Sequence, residues 1–193
     1  GMGRRGRAVF LNCRTLEYRY VPLRLDGCKL VIANTNKRRS LADSKYNERR
    51  AECERAVRYL RNGLDISLLG DIDVSAFEKY KYLIKDGTAA KRAEHVVYED
   101  ERVLSAIDAL SSGDIEGFGR LMDKSHESLR DLYEVTGFEL DTLVKEAGKV
   151  PGTIGSRMTG AGFGGCTVSI VREGAVDEFI KSVGDNYKHK TGL

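Results

Sequence analysis

The 193-residue sequence has no tryptophan, only two prolines and three histidines, and four cysteines. The cysteines form no CxxC pair, and no histidine stands at metal-ligand spacing from them, so neither a zinc site nor a disulfide framework is signalled. Reduced cysteines of this kind are typical of a reducing compartment, and we expect a cytoplasmic protein. No segment approaches the roughly 18 apolar residues that cross a bilayer, so no membrane association is expected.

The chain also lacks a large excess of charge of either sign. The chain carries 32 basic and 29 acidic side chains, for a net charge of +3. Neither sign forms a long run that would follow a phosphate backbone, so we expect no nucleic-acid partner. The most basic stretch contains Arg4, Arg5 and Arg7, which we interpret as a solvated segment and not as a nucleic-acid arm.

The predicted elements fall into separate blocks of strands and helices. Segments rich in Val, Leu, Ile and Tyr predict a meander of three strands at 8–13, 17–23 and 29–34. Apolar residues at helical spacing predict five helices at 43–61, 74–83, 89–111, 115–130 and 138–146. Asp73, Asp114 and Thr136 stand at the expected N-caps, and Gly113 and Gly148 at helix ends.

The pattern then returns to strands, at 153–159 and 167–171, around a glycine-rich turn. A last helix is predicted at 175–187, with one apolar face formed by Val176, Phe179, Ile180 and Val183. Because strands and helices are segregated, the order predicts one α+β layered domain and not a doubly wound parallel sheet.

The glycine-rich turn is the most informative part of the sequence. Residues 155–166 read Gly-Ser-Arg-Met-Thr-Gly-Ala-Gly-Phe-Gly-Gly-Cys, and five of these twelve are glycine. Glycine permits positive φ and lets backbone N–H groups approach an anion. The segment lacks the Gly-Lys-Ser/Thr of a P-loop, and a dinucleotide-binding loop would need a helix after it, where a strand is predicted. A ligand loop and tight strand packing both remain open.

A second segment of interest, residues 34–50, is unusually polar and contains Tyr46. Taken by itself, it is a solvated loop leading into a helix. Arg49 and Glu52 would then form ordinary surface ion pairs at helical spacing. His95 and His126 are single histidines on predicted helices, and we assign them structural roles without chemistry.

Residues 155–166 resemble, nearly residue for residue, the third signature motif of galactokinases in the GHMP superfamily. Residues 34–50, 92–99 and 118–135 are also similar to that family. The resemblance implies a GHMP-kinase C-terminal domain in which an antiparallel β-sheet is layered with a helical block. It implies that Tyr46 contacts the sugar, and that the turn lines the cleft near the phosphates through Gly160, Ala161, Gly162, Phe163, Gly164 and Gly165.

Galactokinases phosphorylate galactose at the 1-hydroxyl with ATP and Mg²⁺. Their ATP loop and catalytic groups belong to an N-terminal domain, so the resemblance implies that residues 1–193 form the C-terminal domain alone, without that ATP-binding domain. We therefore expect no catalytic residue or metal ligand here, no cofactor bound to this chain alone, and no activity without the missing half. A last strand of the family is also missing, and the resulting open sheet edge predicts a homo-oligomer.

Two other functions are consistent with the sequence. One is a fragment of a galactokinase paralogue that senses sugar and nucleotide without catalysis. The other is another small-molecule kinase of the GHMP superfamily, against which the Tyr46 segment and the Gly-Phe-Gly-Gly-Cys ending argue. A purely structural scaffold is what composition alone predicts. Galactose and N-acetylgalactosamine are not distinguished.

Overall fold

The structure is a computed structural model that describes the backbone of residues 3–37 and 42–193, and side chains from residue 45 onward in the second range. Residues 38–41 of the polar segment lie outside the described part of the chain. The elements are β1 (Arg7–Leu11), β2 (Tyr18–Pro22), β3 (Cys28–Asn34), α1 (Ala42–Leu60), α2 (Val74–Tyr80), α3 (Gly87–Ser112), α4 (Ile115–Asp131), α5 (Phe138–Ala147), β4 (Thr153–Thr159), β5 (Cys166–Arg172) and α6 (Val176–Thr191). Single 3-10 turns lie at Leu69–Asp71, Lys81–Leu83 and Glu173–Ala175.

The strands form two antiparallel sheets. Strands β1 and β2 make a hairpin, whereas β3 belongs to a three-stranded sheet of order β3-β5-β4. The predicted meander is therefore wrong at its third strand. Residues 23–27 between β2 and β3 are too long for a tight two-residue turn, and β3 has its own core to join. Val31 and Ala33 pack against the apolar cluster of α5 and α6, while Cys28 packs on the cluster that includes Met122 of α4.

Helices cover both faces of the three-stranded sheet. On one face, Phe179 and Val183 of α6 pack with Leu143 of α5 against Val171 of β5. On the other face, α4 packs against β4, and α3 lies beside α4. The hairpin packs on α3, where Val21 meets Ile107 and Leu110. This arrangement confirms the α+β class. None of the helices within the described residues is both long and apolar enough to span a bilayer.

Several predicted helix boundaries are confirmed by their caps. Asp73 accepts a hydrogen bond from the Ala76 N–H at 2.7 Å, Asp114 accepts one from the Gly117 N–H at 2.7 Å, and Gly113 ends α3 at φ 78°. The N-cap prediction at Thr136 is wrong. Gly137 precedes α5 with φ 85° and without a side-chain cap, and Thr136 is buried.

The last helix differs from its prediction in its length and in its buried face. It continues to Thr191, four residues beyond the predicted end. Phe179 and Val183 are buried as predicted, but Ile180 is 59% exposed and does not belong to the buried face. The 3.6-residue period turns this side chain away from α5, so the buried stripe is narrower than the sequence suggested.

Candidate functional site

The glycine-rich turn, residues 160–165, connects the end of β4 to the start of β5. All four of its glycines and Phe163 have positive φ, between 56° for Phe163 and 125° for Gly164. A strand and not a helix follows the turn, as predicted, which excludes a dinucleotide-binding loop. Glycine adopts positive φ without steric cost, and four of the five positive-φ positions in this tight connection between two strands are glycine.

The turn is anchored on both sides by backbone hydrogen bonds. The Phe163 N–H donates to the Val135 carbonyl at 2.8 Å, and the Thr35 N–H donates to the Gly165 carbonyl at 2.8 Å. A Cβ on Gly162 would lie 2.1 Å from the Val135 carbonyl oxygen. Phe163 holds φ 56°, which is unusual for a bulky residue and is maintained by this hydrogen bond. Tight packing thus accounts for Gly162.

The tip of the turn is more accessible than its base. Gly160 and Ala161 are exposed, whereas Gly162 and Gly164 are buried, and Phe163 and Gly165 are half-buried. Of the six residues predicted to line a phosphate-proximal cleft, the first two are therefore open to solvent. Their contact with nucleotide stays a prediction.

Tyr46 lies near the start of α1 and is 58% exposed. Burial raises the pKa of the Tyr133 hydroxyl, with smaller effects of Cys53 and of Tyr46. The Tyr133 ring stacks on His95 with 4.5 Å between ring centroids. Tyr133 directly precedes the residues that hold the turn. Arg49, on the same helix as Tyr46, donates to the Glu134 carbonyl at 3.3 Å, so α1 is linked to the segment that holds the turn. The sugar contact of Tyr46 stays a prediction.

A buried group of charged side chains lies behind this segment, and it corrects one prediction. Arg49 and Glu52 are 7% and 5% exposed, so they are not ordinary surface residues. They bond to each other at 2.9 Å, and Glu52 also accepts from Arg92 at 2.7 Å. The sequence held a signal for this, because Arg49 and Glu52 share a helical face with Ala56 and Leu60, both fully buried. The sequence did not indicate that Arg92 belongs to this buried charged group.

The two helical histidines have structural partners. The Met158 N–H donates to His126 Nδ1 at 3.2 Å, and the other ring nitrogen of His126 lies 3.3 Å from Asp141. His126 thereby links α4 and α5 to the end of β4, directly before the glycine-rich turn. His95 Nδ1 lies 2.8 Å from the Ser128 hydroxyl, and burial lowers the pKa of His95 to about 4.

Parts of this chain are similar to known proteins. Residues 106–189 match the family described as GHMP kinases C terminal. Over its full length, the chain is 58% identical to a galactokinase from Fusobacterium nucleatum, of which it covers 50%. Residues 106–189 form a GHMP kinase C-terminal domain. The matched region contains α4 to β5 and the glycine-rich turn.

Two solved structures resemble this GHMP kinase domain. A Lactococcus lactis galactokinase complexed with galactose superposes with a TM-score of 0.93 at 46% identity, over 97% of this chain and 48% of that one. Mevalonate kinase from L. major in complex with R-mevalonate has a TM-score of 0.57 at 17% identity, over 94% of this chain and 44% of that one, and shows the fold alone. The chain spans about half the length of the curated relatives it matches.

Within residues 3–37 and the described side chains of the second range, no group of three or more His, Cys, Asp and Glu side chains is placed to hold a metal ion. Mg²⁺ at phosphoryl-transfer sites is usually held by one or two carboxylates together with water and the phosphates of the substrate. We assign no metal ligand among the described residues.

Proposed function

We propose that this chain is the C-terminal part of a galactokinase, which transfers phosphate from ATP to the 1-hydroxyl of galactose. The observation that carries the proposal is the glycine-rich turn, whose four glycines and Phe163 all have positive φ. It is supported by 46% identity to a galactokinase that was solved with galactose. The chain spans about half of such relatives, so we propose that the residues of their other half must be present for catalysis.

In this proposal the chain supplies two arms of a shared site. Tyr46 is exposed and has a phenol, which can hydrogen-bond through its hydroxyl and pack its ring on the apolar face of a sugar. The exposed backbone of Gly160 and Ala161 approaches the phosphates, because glycine leaves room for close contact. No catalytic base is assigned to this chain, and ATP and Mg²⁺ are bound with the other half.

Galactose binding tests the role of Tyr46. The chain is mixed with a separately produced N-terminal half of a galactokinase relative, and galactose affinity is measured by calorimetry. Tyr46→Ala is expected to weaken binding about tenfold or more, since it removes a hydrogen bond and a packing surface. Tyr82, which is 64% exposed and far along the chain, gives the matched control Tyr82→Ala with unchanged affinity.

The outcomes separate the candidate functions. Equal galactose affinity in the two variants would remove Tyr46 from the sugar site. Galactose binding by the mixed halves without any phosphoryl transfer would favour the sugar-sensing alternative. Tight binding of another small-molecule kinase substrate, with no galactose binding, would overturn the proposal.

We further propose that the chain self-associates through β3 and acts in the cytoplasm. Among the described strands, β3 pairs only with β5, and its Leu30 and Ile32 are 49% and 70% exposed. An open edge with apolar side chains favours strand pairing with a second copy. A single monomeric species in sedimentation at high concentration would contradict this. The four free cysteines support a reducing compartment.

A further inference from the structure

Four charged side chains, Arg49, Glu52, Arg92 and Glu134, form what we call the Arg92 cluster. Arg92 of α3 is 2% exposed and lies at its centre. Its Nε lies 2.7 Å from Glu52 of α1, and its Nη2 lies 2.8 Å from the Glu134 carboxylate. The remaining nitrogen, Nη1, donates to the Leu132 carbonyl. One guanidinium thus connects α1, α3 and the segment after α4.

Arg49 adds a second connection between α1 and the same segment. It donates to Glu52 at 2.9 Å and to the Glu134 main-chain carbonyl at 3.3 Å. Arg49 follows Tyr46 by three residues, so the two side chains leave neighbouring turns of one helical face. The orientation of the helix that carries Tyr46 is therefore fixed by bonds to residues 132–134.

The cluster is an expensive way to stabilise a fold. Taking two guanidinium groups and a carboxylate out of water costs free energy that their attraction only partly offsets, and apolar residues of similar volume often stabilise as well. Arg92 has a different advantage: a planar fork that reaches three acceptors in fixed directions. The hydrogen bonds from Arg92 keep the pKa of Glu134 below its ordinary value, so this carboxylate stays charged at neutral pH.

The opposite side of the same segment holds the glycine-rich turn. Glu134 has φ 55°, in the left-handed region, and the carbonyl of Val135, which follows it, faces the turn. The Phe163 N–H donates to this carbonyl at 2.8 Å, and Gly162 packs directly against it. Residues 132–135 are thus bonded to the arginines on one side and to the turn on the other.

We propose that Arg92 and Glu52 are positioning residues that fix the helix bearing Tyr46 and the glycine-rich turn relative to each other. This inference rests on the proposed function for its catalytic meaning, but its structural step does not. Arg92 donates hydrogen bonds to the Leu132 carbonyl and the Glu134 carboxylate, and the neighbouring Val135 carbonyl accepts one from Phe163. Loosening the cluster moves both proposed arms of the site, without removing a group that touches either substrate.

Amide hydrogen exchange of this chain, without sugar or nucleotide, tests the structural step. Arg92→Lys keeps the charge but offers one compact ammonium where the fork reached three acceptors. We expect exchange in peptides that contain Phe163 to become at least about fivefold faster, because its acceptor carbonyl is no longer held. If Arg92→Lys does not fold, Glu134→Gln is used, since this side chain is 44% exposed, and the same direction is expected.

A matched control separates local loosening from general destabilisation. Glu146 is also a buried carboxylate with two cationic partners, Lys149 and Lys190, but it joins α5 to α6. Glu146→Gln is expected to lower thermal stability without changing exchange at Phe163 relative to neighbouring peptides. Unchanged exchange at Phe163 in Arg92→Lys, or an equal increase in Glu146→Gln, would overturn the proposal.

Kinetics with the second half of the kinase test the catalytic meaning. Per folded molecule, Arg92→Lys is expected to raise the KM for galactose and lower kcat, Arg92→Met to do so more strongly, and Glu146→Gln to change neither. If the wild-type halves show no ADP release, the proposed function fails while the exchange result still decides the structural step. If the wild-type halves are active and Arg92→Lys matches them in kcat and KM, the positioning role is wrong.

Discussion

His95 is enclosed between α3 and α4 as a neutral ring. It is 5% exposed, bonds to Ser128 and stacks on Tyr133. Burial lowers its pKa to about 4, and the charges around it are Glu99, which raises the pKa, and Arg102, Arg157 and Arg92, which lower it. Since the ring is buried, and three guanidinium groups but only one carboxylate act on it, protonating this ring in the folded protein is unfavourable. His95 therefore serves as a buried hydrogen-bonding group in the core.

The lowered pKa of His95 predicts acid sensitivity. Between about pH 6.5 and about pH 4 the unfolded chain binds a proton at His95 that the folded chain does not, so stability falls as the pH falls through this window. The loss amounts to roughly 3 kcal/mol at most, at about 1.4 kcal/mol per pKa unit. Urea unfolding between pH 7 and pH 4 measures it. His95→Gln should show a shallower fall, and equal slopes in both proteins would contradict the assignment.

At the scale of elements, α4 and β4 approach until their backbones touch. A Cβ on Gly119 would lie 2.1 Å from the Ile154 carbonyl oxygen, and one on Gly155 would lie 2.4 Å from the Gly119 carbonyl oxygen. This contact holds the start of β4, the strand that leads into the glycine-rich turn, directly against α4. Of the two interpretations that the sequence left open, tight packing of a strand under a helix applies at Gly155.

Two helical glycines therefore respond oppositely to alanine. Gly119→Ala is expected to lose about 2–3 kcal/mol, because the methyl group meets backbone that cannot move aside. A Cβ on Gly184 in α6 would have no neighbouring atom within 4 Å, so Gly184→Ala is expected to gain about 0.5–1 kcal/mol from helix propensity alone. Chemical denaturation measures both. A Gly119→Ala variant as stable as the parent would show that the helix and the strand can separate.

The elements that sequence reasoning predicted well are those with local signals. The helices α2, α3 and α4 begin within two residues of their predicted starts, and Asp73 and Asp114 cap α2 and α4 as expected. The partner of β3 could not be predicted, because strand pairing between distant segments leaves no periodic pattern in either one. At the site, the glycine-rich turn and Tyr46 were found by motif, whereas Arg92 was missed because its burial depends on the packing of three elements.

At the scale of the whole molecule, the chain spans about half the length of its relatives, and the proposed function makes it one side of an active site. The helix that carries Tyr46 and the glycine-rich turn both bond to residues 134–135. Phosphoryl transfer needs a phosphate cradle, a metal and a group that orients the attacking hydroxyl. We therefore interpret the chain as one wall of an active site whose other wall is supplied by the remaining half of the kinase.

Galactose-dependent ADP release tests this interpretation most directly. The chain, a separately produced N-terminal half of a galactokinase relative, and their mixture are each supplied with ATP, Mg²⁺ and galactose. We expect release by the mixture alone, abolished when galactose is omitted. Release by the chain without its counterpart would contradict the claim that further catalytic residues are needed. A folded, associated mixture that releases no ADP with galactose would contradict the claim that this domain is half of a galactokinase.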